Sequence, residues 1–301
     1  MNTYRSMAKL RYNGKTKQMK HLIQIATFLL WLPTFAVAQC NAKSGEHQNE
    51  TFERYATYIE PYIGQSKELV LEKTAEFFIN TPYVAGTLDV HADEELVVNL
   101  EELDCVTYIE TVIALINMVE GGELSLDTYA DELQKVRYRN GELTDYASRL
   151  HYTTDWIDDN VAMGILAPME WEKECSLDTK KINFMSSHRS AYNALKEDDK
   201  MLGSIKDVEH ALNQREGFYY LPKEKIEANK HRIPHMAMIA FTTTIKGLDT
   251  THTGFAYHKG DKLTFIHASS LKKKVVIDDK TLHDYCASQK SCSGIIVIQV
   301  K

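Results

Sequence analysis

Apolar positions change their spacing about halfway along this chain. From Lys67 to Ile79, Leu69, Leu71, Ala75 and Phe78 recur in a helical rhythm that Asn80-Thr81-Pro82 ends, since proline cannot continue a helix. Leu96-Val97-Val98-Asn99-Leu100 is a short apolar run. Val106, Ile109, Ile113, Leu115 and Ile116 then repeat at helical spacing and Asp104 is a natural N-cap, so a buried helix is expected to begin at Cys105. Leu133 and Val136 mark another helix over Leu126 to Val136. A polar helix is read over Ala191 to Asp198 and a helical turn over Asp207 to Asn213.

Beyond residue 215 the pattern becomes that of strands. Glu216 to Pro222 is aromatic and extended. Ile233 to Thr244 is nearly continuous in apolar character through Met238-Ile239-Ala240-Phe241-Thr242; Lys272 to Asp278 carries Val275-Val276-Ile277, and β-branched residues dominate Gly294 to Val300. Two strand-like runs flank Lys259-Gly260 and read as a β-hairpin. With Lys259 and Gly260 as the turn, His258 pairs with Asp261 and, counting back, His252 stands opposite His267. Short connections between these strands favour an antiparallel sheet, with most helices in the N-terminal half. The fold class is therefore α+β, with the Cys105 helix packed on the sheet.

The first 38 residues hold six basic residues and no acidic one, and include an apolar run from Leu22 to Val37 broken by Pro33. Ala36-Val37-Ala38 offers small residues at signal-peptidase spacing, so residues 1–38 read as a secretion signal, with the start of translation placed better at Met19. Cys40 follows closely enough to raise lipid attachment, although Gln39 suits that poorly. The expectation is an exported chain, periplasmic or secreted. Without the leader the net charge of −7 becomes about −13, which argues against nucleic acid or anionic membrane surfaces as partners. No integral span is expected in the mature chain. Its length of about 263 residues suits a single domain over residues 65–301, preceded by a lead-in over 39–64. Among five cysteines, Cys286 and Cys292 bracket a loop short enough to close as a disulfide in an exported chain.

Candidate chemistry centres on Cys105. Unpaired N–H groups and the positive end of the dipole at a helix start favour thiolate, and can bring a cysteine from about 8.5 to roughly 3.5–7.5. The same residue would also serve as a small core side chain. Facing imidazoles at His252 and His267 would supply a base and its orienting partner. One cysteine and two histidines could equally bind zinc, but no His-Glu-x-x-His or paired Cys-x-x-Cys accompanies them, and no metal or other cofactor is implied. Arg137 to Asn160 is dense in aromatic and charged groups, a composition that shapes clefts as readily as it fills solvated connections. Arg149 and Trp156 are its substrate-facing candidates, the guanidinium for a peptide carboxylate and the indole for a sugar ring; His151 reads as structural.

At these residues the chain resembles the NlpC-type cell-wall peptidase superfamily, in which Asp-Cys opens a helix, a His-x-Gly strand supplies the base and a His-Ala-Ser strand the third polar residue. More narrowly it is similar to the N-acetylmuramoyl-L-alanine amidase-like branch. Further marks are Thr81-Pro82-Tyr83-Val84-Ala85-Gly86-Thr87-Leu88, Arg137-Tyr138-Arg139-Asn140-Gly141, Ser148-Arg149-Leu150-His151-Tyr152, Asp155-Trp156, Ile182-Asn183-Phe184-Met185-Ser186 and Gly247-Leu248-Asp249. The likeness runs from about residue 65 to the C-terminus. One departure is that Met236-Ala237 stands where such enzymes usually carry Gly-Asp.

That resemblance implies a papain-like fold and a cysteine hydrolase with Cys105 as nucleophile, His252 as base and His267 as orienting residue. Tyr83 would face the site and help hold an oxyanion, or simply pack at a strand start; Asn183 and Ser186 would line the cleft. The implied partner is a peptidoglycan fragment, cut between N-acetylmuramic acid and L-alanine. Alternatives are a γ-D-glutamyl-diaminopimelate endopeptidase using the same machinery and a non-catalytic wall-binding module.

Overall fold

The computed structural model describes residues 46–91, 93–169 and 173–301. The segment expected to be a secretion signal, residues 1–38, and Cys40 lie outside the described residues. Helices run α1 (Glu46–Ile59), α2 (Lys67–Phe77), α3 (Cys105–Gly121), α4 (Leu126–Arg137) and α5 (Thr153–Ala162) before strands β1 (Leu166–Pro168) and β2 (Ser176–Asp178). Then follow α6 (Phe184–Ser187), α7 (Asn193–Lys196), α8 (Asp199–Leu212), β3 (Phe218–Pro222) and α9 (Ile226–Asn229). The C-terminal part comprises β4 (Met238–Thr243), β5 (Thr250–Lys259), β6 (Lys262–Ser269), β7 (Lys274–Ile277), α10 (Leu282–Ser288) and β8 (Cys292–Val300).

All strand pairs are antiparallel, in the order β2-β3-β8-β4-β5-β6-β7, with β1 pairing β8 as well. Alternate residues of β4 serve two cores. Met238 and Ala240 pack with α1 to α4, whereas Ile239 and Phe241 pack on the opposite face with Leu282 and Cys286 of α10. Burial on both faces is why β4 reads as one apolar run rather than an alternating strand. Helix α3 sits at the centre of the first core, buried from Thr107 through Ile116. Phe52, Tyr55 and Ile59 of α1 join the same core.

Several expectations were local and met other boundaries. The turn read over Asp207 to Asn213 belongs to the longer α8, and the second half of the Arg137 to Asn160 segment is α5, which closes on the core through Trp156 and Ile157. Helix α10 carried too few apolar positions to be read at all. The strand expected from Ile233 starts only at Met238, because Met236 turns the chain with φ +59°. Glycine is favoured there since a side chain at positive φ crowds the backbone; this chain accepts that strain and buries the methionine at 1% exposure.

The hairpin forms one residue later than expected. Phe255 lies opposite Ile266 and Lys259 opposite Lys262, so Gly260 and Asp261 make the turn. Gly260 has φ +60°, the conformation that a primed two-residue turn demands of its first central residue. Continuing that register puts His267 opposite Gly254, not His252. A displacement of two residues keeps every side chain on its face, so the histidines remain on one face as diagonal neighbours.

Among the described residues, no helix is long and apolar enough to cross a membrane.

Candidate active site at the start of α3

Asp104 caps α3 as expected, its Oδ1 accepting the N–H groups of Val106 at 3.0 Å and Thr107 at 2.8 Å, while Thr107 Oγ1 accepts the Asp104 N–H at 2.8 Å. These bonds use the N–H groups of the two residues after Cys105, while the Cys105 N–H itself acts on its sulfur in favour of thiolate. Thr253 ties β5 to this turn by donating its hydroxyl to the Cys105 carbonyl at 2.6 Å. Cys105 thus abuts the residue that follows His252. A β-bulge precedes that histidine: Phe241 pairs with His252 but Thr242 with Thr250, leaving Thr251 over. Bulges re-aim the side chains beside them, here at the end of β5 nearest α3.

His252 Nε2 lies 2.6 Å from His267 Nδ1, and His267 Nε2 lies 3.2 Å from Asp278 Oδ2. The carboxylate sets the protons along this chain. Burial raises Asp278, but the His267 hydrogen bond, the Lys280 N–H and Lys272 outweigh it and bring the carboxyl to about 2. An ionised Asp278 only accepts, so His267 donates from Nε2. Burial holds His267 below its ordinary value, hence neutral, so its Nδ1 accepts and His252 must donate from Nε2. His252 Nδ1 is therefore the basic atom.

The resting thiol departs from the expectation of a depressed pKa. Burial, then the Asp104 carboxylate, pushes Cys105 up to about 12, against the Thr253 and Cys105 N–H groups that favour thiolate. Burial, with His267 adding to it, brings His252 down to about 3. Both shifts favour a neutral thiol and a neutral imidazole over an ion pair.

Tyr83 enters from the loop after α2, held by its N–H to the Lys273 carbonyl at 2.9 Å and by a bridge to Leu103. Burial, then Cys105 and Asp104, raises its phenol to about 12, so the hydroxyl keeps its proton. Two residues of the cluster escaped the sequence reading. Asp278 was legible only as the polar end of an apolar strand. Tyr285 of α10 packs its ring 5.9 Å from that of His252.

The other candidates stand differently. Arg149 is 8% exposed and already engaged, with Nη2 at 2.6 Å from Asp89 and Nε at 3.3 Å from Glu94, and its guanidinium lies over Tyr146. Its fork is taken by carboxylates of the chain itself. Trp156 is 3% exposed, so its ring faces are packed rather than open to a sugar. Among the described residues its indole N–H has no partner, and the side chain lines a cavity of about 20 Å³, room for one water or methyl group, with Val106, His151 and Thr253. His151 donates from Nε2 to the Tyr146 carbonyl at 2.7 Å, consistent with a structural role. Asn183 and Ser186 lie at α6, where the Asn183 N–H meets the Gly247 carbonyl at 3.1 Å and the Ser186 N–H meets Glu209 at 2.9 Å. Among the described residues, no hydrogen bond joins either to Cys105, His252 or His267.

A disulfide links Cys286 and Cys292. Among the described residues, no three His, Cys, Asp or Glu side chains converge as metal ligands.

The family model described as N-acetylmuramoyl-L-alanine amidase-like matches residues 73–295. No curated protein matches. A solved N-acetylmuramoyl-L-alanine amidase from Bacteroides uniformis is 34% identical, with a TM-score of 0.70 over 78% of this chain and 99% of its own. A protein from Bacteroides fragilis, provisionally named a xylanase, is also 34% identical, with a TM-score of 0.71 over 75% of this chain and 98% of its own. A Legionella pneumophila protein of the family DUF1460, 23% identical with a TM-score of 0.61 over 84% and 94%, shares the fold. With a capped cysteine, paired imidazoles and a matched span covering most of the described residues, the chain belongs to the N-acetylmuramoyl-L-alanine amidase-like family.

Proposed function

We propose that this chain is a cysteine amidase that hydrolyses the amide between N-acetylmuramic acid and L-alanine in peptidoglycan fragments. The observation carrying this reading is the hydrogen-bonded chain of His252, His267 and Asp278 at the β5 end tied to Cys105; the proton order inferred along it leaves His252 Nδ1 unprotonated. In the mechanism, that nitrogen takes the thiol proton as the sulfur attacks the lactyl carbonyl. A neutral starting pair means that transfer and attack go together rather than from a stored thiolate.

The tetrahedral oxyanion is received by the Cys105 N–H, the first-turn donor that capping leaves unused, and by the Tyr83 hydroxyl. Losing one such donor typically costs about 2.7–4 kcal/mol of barrier. His252 returns its proton to the alanine nitrogen, the C–N bond breaks, and the stem peptide leaves as a free amine. Water, deprotonated by His252 Nδ1, then cleaves the thioester and releases the muramic carboxylate with the thiol restored. His267 keeps the base in its tautomer, and Asp278 keeps His267 in its own.

Bond choice rests on the family and on its Bacteroides uniformis member. Export to the periplasm or medium, with removal of residues 1–38, is proposed from the leader alone. Incubating the purified mature chain with defined muropeptides and weighing the products tests the reaction. Free disaccharide and intact stem peptide are expected. Cleavage further along the stem would make it an endopeptidase, and full turnover by Cys105→Ala would end the cysteine mechanism.

A further inference from the structure

Three aromatic rings surround the paired imidazoles, and one of them comes from outside the sheet. Phe241 of β4 and Phe265 of β6 are buried at 1% and 0% exposure. Tyr285 belongs to α10 and is half-buried. Its ring centroid lies 5.9 Å from His252 and 5.7 Å from His267, and it packs on Phe265 at 4.7 Å and Phe241 at 5.0 Å. One ring therefore lies against both partners of the His252–His267 hydrogen bond.

Helix α10 is only seven residues long, too short to persist without tertiary anchors. Thr281 caps it by accepting the Asp284 N–H at 3.0 Å, and Leu282 is buried beneath it. The third anchor is covalent. Cys286, next to Tyr285 in the chain, is bonded to Cys292, the first residue of β8, which pairs with Thr243 of β4.

We propose that Tyr285 is a positioning residue that holds the His252 imidazole in its working orientation, and that the Cys286–Cys292 disulfide holds Tyr285 in place. The catalytic consequence rests on the amidase reading; the seating of the ring does not. Among the described residues, His252 has one side-chain hydrogen bond to fix its ring, to His267, and ring packing removes the rotations that this bond alone permits. Cover by an apolar face also keeps water from competing for the Nε2 proton. The hydroxyl of Tyr285 takes no part in this, so phenylalanine should replace it.

The titratable and charged groups acting on His252 are His267 on β6 and Asp278 beyond β7, with the Tyr285 ring packed beside it; Asp278 and Cys105 act on Tyr285 in turn. Lys272 acts on that set through His267 and Asp278. Removing the ring leaves the other charges in place and admits water. Hydration favours the imidazolium, so His252 should titrate closer to its ordinary value near 6.5.

The test is an NMR titration of His252 in the intact chain, run beside kcat and KM on a defined muropeptide. Wild type, Tyr285→Phe, Tyr285→Leu and the double variant Cys286→Ser with Cys292→Ser are compared, with folding checked by circular dichroism. Tyr285→Leu is expected to raise the His252 midpoint and lower kcat about tenfold with KM within about twofold, as a misoriented base would. Tyr285→Phe is expected to restore both readings, and the serine pair to shift the midpoint the same way. A folded Tyr285→Leu protein with unchanged midpoint and kcat overturns the proposal, and Tyr285→Met, which keeps apolar volume without a ring, decides if leucine does not fold. Equal damage from Tyr285→Phe overturns it in favour of the hydroxyl. A midpoint shift in a chain without amidase activity supports the ring's seating and counts against the amidase reading alone.

Discussion

Gly254 stands opposite His267, and the room a side chain would need there is taken. A Cβ at Gly254 would lie 3.1 Å from the His267 Cβ, 2.9 Å from the Ile266 carbonyl oxygen and 2.8 Å from Phe265 Cδ2. Glycine is what lets the diagonal histidines meet, since nothing projects between the two strands. Gly254→Ala is expected to cost about 1–3 kcal/mol in overpacking and to lower turnover further than that loss of folded protein explains. Thermal melts beside rates on folded protein check it; an alanine variant with wild-type kcat would show that the strands part without moving His267.

Asp278→Asn should be worse than a loss of charge suggests. An amide can turn its NH₂ toward His267 Nε2, which reverses the proton order and puts a proton on His252 Nδ1. The base is then occupied, as when the third member of a catalytic triad is made neutral, and kcat is expected to fall about 10²–10⁴-fold with little change in KM. His267→Ala removes the orienting bond without reversing it and should leave a measurable remnant. Steady-state kinetics on both variants distinguish the two.

Activity should persist to lower pH than an ordinary histidine allows. His252 falls to about 3 and Cys105 rises to about 12, so the neutral pair persists between those values. The acid limb of kcat/KM is expected below 6.5, and a limb at or above 6.5 in the free enzyme would contradict the neutral pair. Stability runs by the same linkage. His252, and His151, which burial and then Arg149 bring to about 3, bind fewer protons folded than unfolded between about 3 and 6.5. Stability therefore falls as pH drops through that window, and the urea midpoint at pH 5 should lie below that at pH 7.

Arg149→Ala separates a structural arginine from a substrate clamp. Its loss leaves Glu94, only 7% exposed at the side chain, without its cation. The expected cost is about 3 kcal/mol of stability, with KM changed less than about threefold. A tenfold rise in KM at unchanged melting temperature would return Arg149 to the substrate.

Met236→Gly weighs two effects against each other. Glycine relieves about 1–2 kcal/mol of positive-φ strain, while losing a fully buried methionine costs about 2–5 kcal/mol. Burial wins, so the variant should melt at a lower temperature. A higher melting temperature would mean the strain at φ +59° outweighs the packing.

What the chain announced by itself was local. Asp104 accepts from N–H groups two and three residues away, so the start of α3 and the place of Cys105 could be read before any tertiary contact was known. Gly260 likewise marked a hairpin within one residue, and counting back from that turn put the two histidines on one face. Tertiary packing decided the rest. The choice between turns one residue apart moved His252 from opposite His267 to a diagonal, and the union of His267 with Asp278 required β7 to settle beside β6. Burial, which no spacing encodes, turned the expected thiolate into a neutral thiol and closed Trp156 off from solvent, and Arg149 met its carboxylates through loop contacts tens of residues long. Caps and turns draw on atoms a few bonds apart, whereas desolvation and long-range pairing exist only after distant segments have come together.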